Sequence, residues 1–228
     1  MSLSDNETIN GGVIDAAIAP NNPNVMAFIT SQPMAVNDTD IYYDLYVRDL
    51  SAGTTALISQ TAAGIKANHT YMEPGLSVSE NGEWIAFGSD ALNLTTLSHT
   101  NCLGYPSEKC QQVYAKSRLS GELIVVSTAN NGSVGLFNWR ARVVSIVTIE
   151  GVPNVIYTSS ASNLGPRSGL SSPIYIRAIQ STAHPIDLMP LPDRYPYAQS
   201  SGLVTQALYR NNQLVLMFTS NFSFDNDD

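Results

Sequence analysis

Four apolar stretches of the chain share one arrangement of hydrophobic and polar positions. Each stretch has an aromatic residue near its end, and a serine or threonine follows that aromatic by two positions. Turn-forming residues precede each stretch, and another strand-like segment precedes each turn, so each unit is predicted to open with a β-hairpin. The aromatics recur roughly 60 to 70 residues apart and are Phe28, Phe87, Tyr157 and Phe218.

A second pattern follows each of the first three hairpins. A tyrosine is followed two positions later by a basic residue, so strand alternation places both side chains on one face of the sheet. A polar turn and a further strand-like segment complete four strands per unit. We expect these pairs to be structural rather than ligand-binding, with the basic stem covering the ring and the charge reaching water. The pairs are Tyr46 and Arg48, Tyr114 and Lys116, and Tyr175 and Arg177.

These units predict an all-β chain made of β-propeller blades, each blade a four-stranded antiparallel meander. About three and a half blades form an incomplete ring and leave a sheet edge and blade faces exposed. We therefore expect the chain to be part of a longer propeller, with association of copies as the alternative. The predicted units are a tail at 1–12 with a partly non-native start, blades at 13–72, 73–138 and 139–198, and the first hairpin of a fourth blade at 199–228.

Two segments of the chain resemble the TolB-like, or WD40-like (PD40), propeller repeat family. Residues 37–54 are similar to the third-strand signature of that family, and residues 76–94 are similar to its hairpin signature. Residues 159–164 repeat the end of the hairpin signature. The resemblance implies a propeller of about six to eight blades, often periplasmic or secreted. Such a propeller is expected to act as a binding platform or as a gating domain beside a hydrolase.

Composition and charge exclude several classes of protein. Charged residues make up 13% of the chain and hydrophobic residues 43%, which is typical of a globular protein rather than a disordered one. The net charge of −8 and the scattered basic residues argue against a nucleic-acid surface, and no apolar stretch is long enough to span a membrane. Cys102 and Cys110 close a short polar loop and predict a disulfide outside the cytosol, with two reduced thiols as the alternative.

Few residues offer candidate chemistry. The chain has three histidines, and no metalloprotease, nucleophile-elbow or phosphate-loop motif is present. His69, Tyr71 and Glu73 lie in a loop before the second predicted blade. Loops of this kind can line the mouth of a propeller, so these three residues could contact a ligand. A solvated loop is the alternative interpretation.

A second loop is acidic and offers oxygen ligands for a cation. Asp38, Asp40 and Asp44 lie close together in sequence, and carboxylate oxygens are the ligands that calcium prefers. Their spacing matches no EF-hand, and acidic residues are ordinary components of loops. We therefore expect no cofactor, with calcium at these three residues as the alternative.

The patterns together predict a non-enzymatic propeller module of a periplasmic or secreted protein. Its expected partner is a protein, a peptide or a glycan, together with the remaining blades of a longer chain or a second copy. Two alternatives remain. The chain could be an accessory propeller domain that screens substrates for a larger hydrolase such as a peptidase, or it could be a self-associating structural module.

Overall fold

The computed structural model describes the chain in eleven stretches, most of which belong to β-strands. None of the described residues forms a helix long and apolar enough to cross a membrane. The described residues are 2–3, 9–10, 12–68, 75–97, 111–129, 132–135, 141–161, 163–164, 173–180, 186–187 and 203–219.

Three four-stranded antiparallel sheets account for most of the described chain, and in each the strands pair in sequence order. Sheet 1 consists of β3 (Val13–Ala19), β4 (Asn22–Thr30), β5 (Asp44–Asp49) and β6 (Thr54–Leu57). Sheet 2 consists of β7 (Leu76–Val78), β8 (Trp84–Ser89), β9 (Gln112–Ser117) and β10 (Leu123–Val125). Sheet 3 consists of β11 (Ala141–Ile149), β12 (Val152–Ser159), β13 (Ile174–Ala178) and β14 (Ile186–Asp187).

Two hairpins complete the described strands. A short one near the start of the chain pairs β1 (Ser2–Leu3) with β2 (Ile9–Asn10). The other, sheet 4, pairs β15 (Leu203–Arg210) with β16 (Gln213–Thr219). Its turn has positive φ angles at Asn211 and Asn212, 52° and 59°, a conformation that asparagine tolerates better than most residues. The turn that the sequence predicts at this point is therefore confirmed.

The sheets pack face to face in chain order. The first strand of sheet 2, β7, contacts the first strands of sheets 1 and 3, and β11 contacts β15 of sheet 4. One buried apolar cluster fills the space between sheets 1 and 2, and a second fills the space between sheets 2 and 3. The second contact is close at Gly88, where a Cβ atom would lie 2.7 Å from the carbonyl oxygen of Ala141. Each sheet is therefore stabilised by its neighbours, as in a repeat architecture.

The repeated aromatics are buried in the apolar clusters of all three four-stranded sheets. In each four-stranded sheet, the aromatic of the second strand lies directly opposite the tyrosine of the third strand. The rings of each pair are in contact, with centroids 5.6 to 5.9 Å apart. The pairs are Phe28 with Tyr46, Phe87 with Tyr114, and Tyr157 with Tyr175.

The structure confirms the all-β architecture and the four-stranded antiparallel meanders that the sequence predicts. The strands follow the predicted order because alternating apolar positions, turn residues and aromatic positions all specify the same pairing. The total number of blades in a ring, and the blade boundaries at 72, 138 and 198, stay predictions.

Candidate functional site

The predicted acidic ligands Asp38, Asp40 and Asp44 lie together beside sheet 1, with a lysine among them. Asp44 begins β5, and the two other aspartates lie in the loop before it. Lys66 comes from the loop after β6. Its Nζ atom lies 2.7 Å from Asp44 Oδ2, 2.9 Å from Asp40 Oδ2 and 3.6 Å from Asp38 Oδ1. The cation at the centre of this cluster is therefore the chain's own ammonium group.

Burial strengthens the electrostatic interactions within this carboxylate–lysine cluster. Asp44 is fully buried and accepts a 2.6 Å hydrogen bond from Ser59 Oγ. Burial raises the pKa of Asp44, although the hydrogen bonds from Lys66 and Ser59 oppose this effect. Burial alone would lower the pKa of Lys66, but its hydrogen bonds to Asp44 and Asp40 outweigh burial and raise it. Lys66 therefore remains charged at neutral pH and compensates part of the negative charge.

The same cluster connects to the aromatic pair of sheet 1. The hydroxyl of Tyr46 donates a short hydrogen bond to Asp38 Oδ2 and accepts a 3.1 Å hydrogen bond from the backbone N–H of Met34. Burial and the hydrogen bond to Asp38 both raise the pKa of this tyrosine. Met34 and Ala35 pack against the apolar cluster formed by Phe28 and Tyr46. Residues 31–38, the capping loop, therefore cover this face of sheet 1.

Calcium binding at this cluster would require a rearrangement. Calcium takes about six to eight oxygen ligands, and the three carboxylates already surround Lys66. An incoming ion would have to displace the ammonium group, which makes hydrogen bonds to both Asp40 and Asp44. Calcium stays the alternative to the expectation of no cofactor, and the contacts that are present favour a structural ion-pair network.

Lys116, the basic residue of the second predicted pair, contacts the preceding sheet. Its Nζ atom donates hydrogen bonds to the carbonyl oxygens of Gln60 and Thr61, which follow the last strand of sheet 1, at 2.6 and 2.9 Å. The expectation that its charge reaches water is wrong, because Lys116 is only 4% exposed. Burial lowers its pKa to about 8. The ammonium group is thus held by backbone carbonyls rather than by solvent.

Arg177 makes the equivalent contact one sheet later. Its Nη1 atom donates to the carbonyl oxygens of Val126 and Thr128, after the last strand of sheet 2, at 2.8 and 3.2 Å. A further short hydrogen bond joins it to the Thr128 hydroxyl. Burial lowers its pKa. In sheet 1, by contrast, Arg48 donates within its own sheet, to Thr55 Oγ1 at 3.0 Å. The basic positions of sheets 2 and 3 therefore link neighbouring sheets.

Sequence reasoning missed a second set of links, which asparagines provide. Asn93 Nδ2 donates to the carbonyl oxygen of Lys66 at 2.8 Å, and Asn163 Nδ2 donates to that of Val134 at 3.0 Å. Both asparagines follow the second strand of their sheet in an Ala-x-Asn-Leu sequence. Its recurrence in two units is the signal that could have identified this structural role.

Several predicted residues lie outside the part of the chain that the structure describes. These include the loop residues His69, Tyr71 and Glu73 and the two cysteines, Cys102 and Cys110. Their proposed roles, ligand contact and a disulfide, stay predictions. Phe218 belongs to β16 and lies opposite Val204 in the hairpin register.

The fold is similar to that of TolB from Acinetobacter baumannii, with a TM-score of 0.52 and 14% sequence identity. The similarity covers 93% of this chain and 39% of the TolB chain. No protein-family model matches the chain, and no curated protein matches it. The chain thus spans well under half of the solved TolB chain, and its sheets have the arrangement of β-propeller blades.

Proposed function

We propose that the chain is a non-enzymatic interaction module of an extracytoplasmic protein, and that it binds a protein, peptide or glycan. The TolB-like propeller fold supports a role in interaction, since propellers present an extended surface on which loops and strand edges bind partners. The predicted pairing of Cys102 with Cys110 supports a location outside the cytosol.

The exposed apolar residues of β3 carry this proposal. Val13, Ile14 and Ile18 are all exposed on β3, the first strand of sheet 1. The contact of β3 with the first strand of sheet 2 therefore leaves these three side chains accessible. Strand alternation places Ile14 and Ile18 on the same face of β3, and exposed apolar side chains that share a face are typical of an interaction surface. We place the ligand contact on this strand.

The basic side chains that lie beside or between the described sheets support a non-enzymatic role. Lys66 is surrounded by carboxylates, and Lys116 and Arg177 donate to backbone carbonyls of a neighbouring sheet. Such contacts stabilise the packing of the sheets. A catalytic acid or base needs a proton that a substrate can reach, whereas Lys116 is buried between sheets 1 and 2.

Binding to arrays of peptides and glycans tests the proposal. We expect the chain to bind a defined subset of the probes and to leave them chemically intact. The variant Ile14→Lys/Ile18→Lys should lower the affinity for that subset by about tenfold or more. Leu119→Lys, which changes an exposed leucine in the turn after β9, is the matched control and should bind normally.

Three results would contradict the proposal. The first is binding to none of the probes, and the second is an equal loss of affinity in the β3 variant and in the Leu119 control. The third is hydrolysis of a bound peptide, which would instead favour a catalytic role.

A further inference from the structure

The second and third strands of every four-stranded sheet pair in one repeated register. The aromatic of the second strand lies opposite the tyrosine of the third strand. The residue two positions before that aromatic lies opposite the basic residue. These second pairs are Met26 with Arg48, Ile85 with Lys116, and Val155 with Arg177. The register therefore places a tyrosine and a basic residue of the third strand opposite fixed positions of the second strand.

Sheet 4 repeats the first half of this arrangement. Its hairpin packs against sheet 3, where Leu214 and Leu216 of β16 contact the cluster that contains Val147 and Ile156. Phe218 takes the aromatic position of the repeat. One side of β16 pairs with β15, and none of the described residues pairs with its other side. Within the described part of the chain, the backbone donors and acceptors of that side form no strand pairing, and such an edge is a template for a further strand.

The outward face of β16 also resembles an internal sheet face. Val215 lies three positions before the aromatic position and is 48% exposed. The equivalent residue of sheet 2, Trp84, is 5% exposed because sheet 3 covers it. An apolar residue at the equivalent position indicates that β16 has the side-chain pattern of an internal blade strand rather than that of a solvated edge strand.

The incoming strand has a defined chemistry. In sheets 2 and 3 the basic residue of the third strand donates to carbonyl oxygens of the preceding sheet, as Lys116 and Arg177 do. A basic residue opposite Leu216 would be directed in the same way towards sheet 3. Residues 220–228 contain no tyrosine, lysine or arginine, so a segment with this pattern comes from outside them. The net charge of −8 also favours a basic segment.

We propose that the open edge of β16 is a binding site for an extended segment in which a tyrosine is followed two positions later by lysine or arginine. The segment pairs antiparallel with β16, with its tyrosine opposite Phe218 and its basic residue opposite Leu216. Backbone hydrogen bonds along the edge supply the affinity, and the tyrosine and the basic residue supply the specificity. The site does not depend on the ligand surface of β3, so either proposal can fail alone.

A synthetic peptide with the sequence of residues 42–59, which contains the third and fourth strands of sheet 1, is the probe. Its affinity for the 228-residue chain is measured by fluorescence anisotropy. The control peptide carries Tyr46→Ala and Arg48→Ala. We expect the control to bind about tenfold more weakly or worse. Hydrogen exchange should show protection of the β16 amides in the complex with the unaltered peptide.

A matched pair of protein variants locates the site. Met217→Lys places a charge on β16 opposite the apolar residue between the tyrosine and the basic residue, and it should reduce peptide binding by about tenfold. Val152→Lys at the start of β12 is the control, because Val152 and Met217 have similar exposures of 45% and 43%. This variant should bind the peptide normally.

Three outcomes would overturn the inference. One is equal affinity for the two peptides. Another is a complex in which the peptide protects amides elsewhere in the chain but not those of β16. The third is concentration-dependent dimerisation of the chain, measured by sedimentation in the absence of peptide, that protects the β16 amides from exchange without any peptide bound. That result would assign the edge to a second copy of the chain.

Discussion

The aromatic pairs of sheets 1 and 2 have similar geometry, but different parts of the chain bury them. Phe87 and Tyr114 of sheet 2 lie in a cluster with Ala27 and Val47 of the preceding sheet. Phe28 and Tyr46 of sheet 1 are covered by residues of their own sheet and by the capping loop. All four aromatic rings are almost completely buried. The same repeat position is therefore covered by a neighbouring sheet in one case and by a loop in the other.

The polar contacts of the two pairs show why the difference matters. A sheet face covers an aromatic pair with apolar side chains, and the hydroxyl of Tyr114 has no hydrogen-bond partner among the described residues. A loop also brings backbone groups and charges, which need partners when they are buried. Tyr46, Asp38 and Lys66 provide those partners. We conclude that the carboxylate–lysine cluster holds the capping loop over sheet 1.

Removing Lys66 should cause the largest loss of stability. Lys66→Met leaves the carboxylates of Asp38 and Asp44 buried without their cation, and the loss of one partner of a buried ion pair costs about 3–5 kcal/mol. Urea unfolding measures this loss of stability. Arg210→Met, which removes an exposed basic residue, is the control and should change the free energy of unfolding by less than about 0.5 kcal/mol. Equal effects of the two substitutions would show that the cluster does not stabilise the chain.

Removing the hydroxyls of Tyr46 and Tyr114 should have smaller effects on stability, and the two effects should differ. Tyr46→Phe removes the partner of Asp38 and of the Met34 amide, and it should cost about 1–3 kcal/mol of stability. Tyr114→Phe removes a buried hydroxyl that makes no hydrogen bond within the described chain, so it should be neutral or stabilising. Thermal and urea unfolding of both variants measure the difference. A larger loss from Tyr114→Phe would reverse the comparison.

The smallest expected effect is a pH dependence at the contact between sheets 1 and 2. Because burial lowers the pKa of Lys116 to about 8, the unfolded chain binds the proton more tightly than the folded chain. Stability should therefore rise as the pH increases from 7 to 9, by about 1 kcal/mol from this residue. Lys116→Met should remove this rise, which urea unfolding at a series of pH values would detect. An identical pH profile for the variant would contradict the assignment.

Local sequence patterns predicted the strands and their pairing because both are local properties. Alternation, turn residues and the aromatic positions specify the hairpins that contain Phe28 and Phe87. The role of Lys66 could not be predicted, because it joins a loop after β6 to a loop before β5 and belongs to no motif. The acceptors of Lys116 are backbone carbonyls, which every residue has, so the sequence does not indicate which residues accept its hydrogen bonds.

A double-mutant cycle between Tyr46→Phe and Asp38→Ala tests the central claim most directly. If the hydroxyl and the carboxylate act together to hold the capping loop, the losses of stability should not add. The coupling free energy should then lie in the range of about 0.5–3 kcal/mol that contacting residues show. Amide exchange at Met34 should increase in both single variants, since its N–H loses a fixed acceptor. Additive losses with an unchanged Met34 exchange rate would show that the capping loop is held in another way.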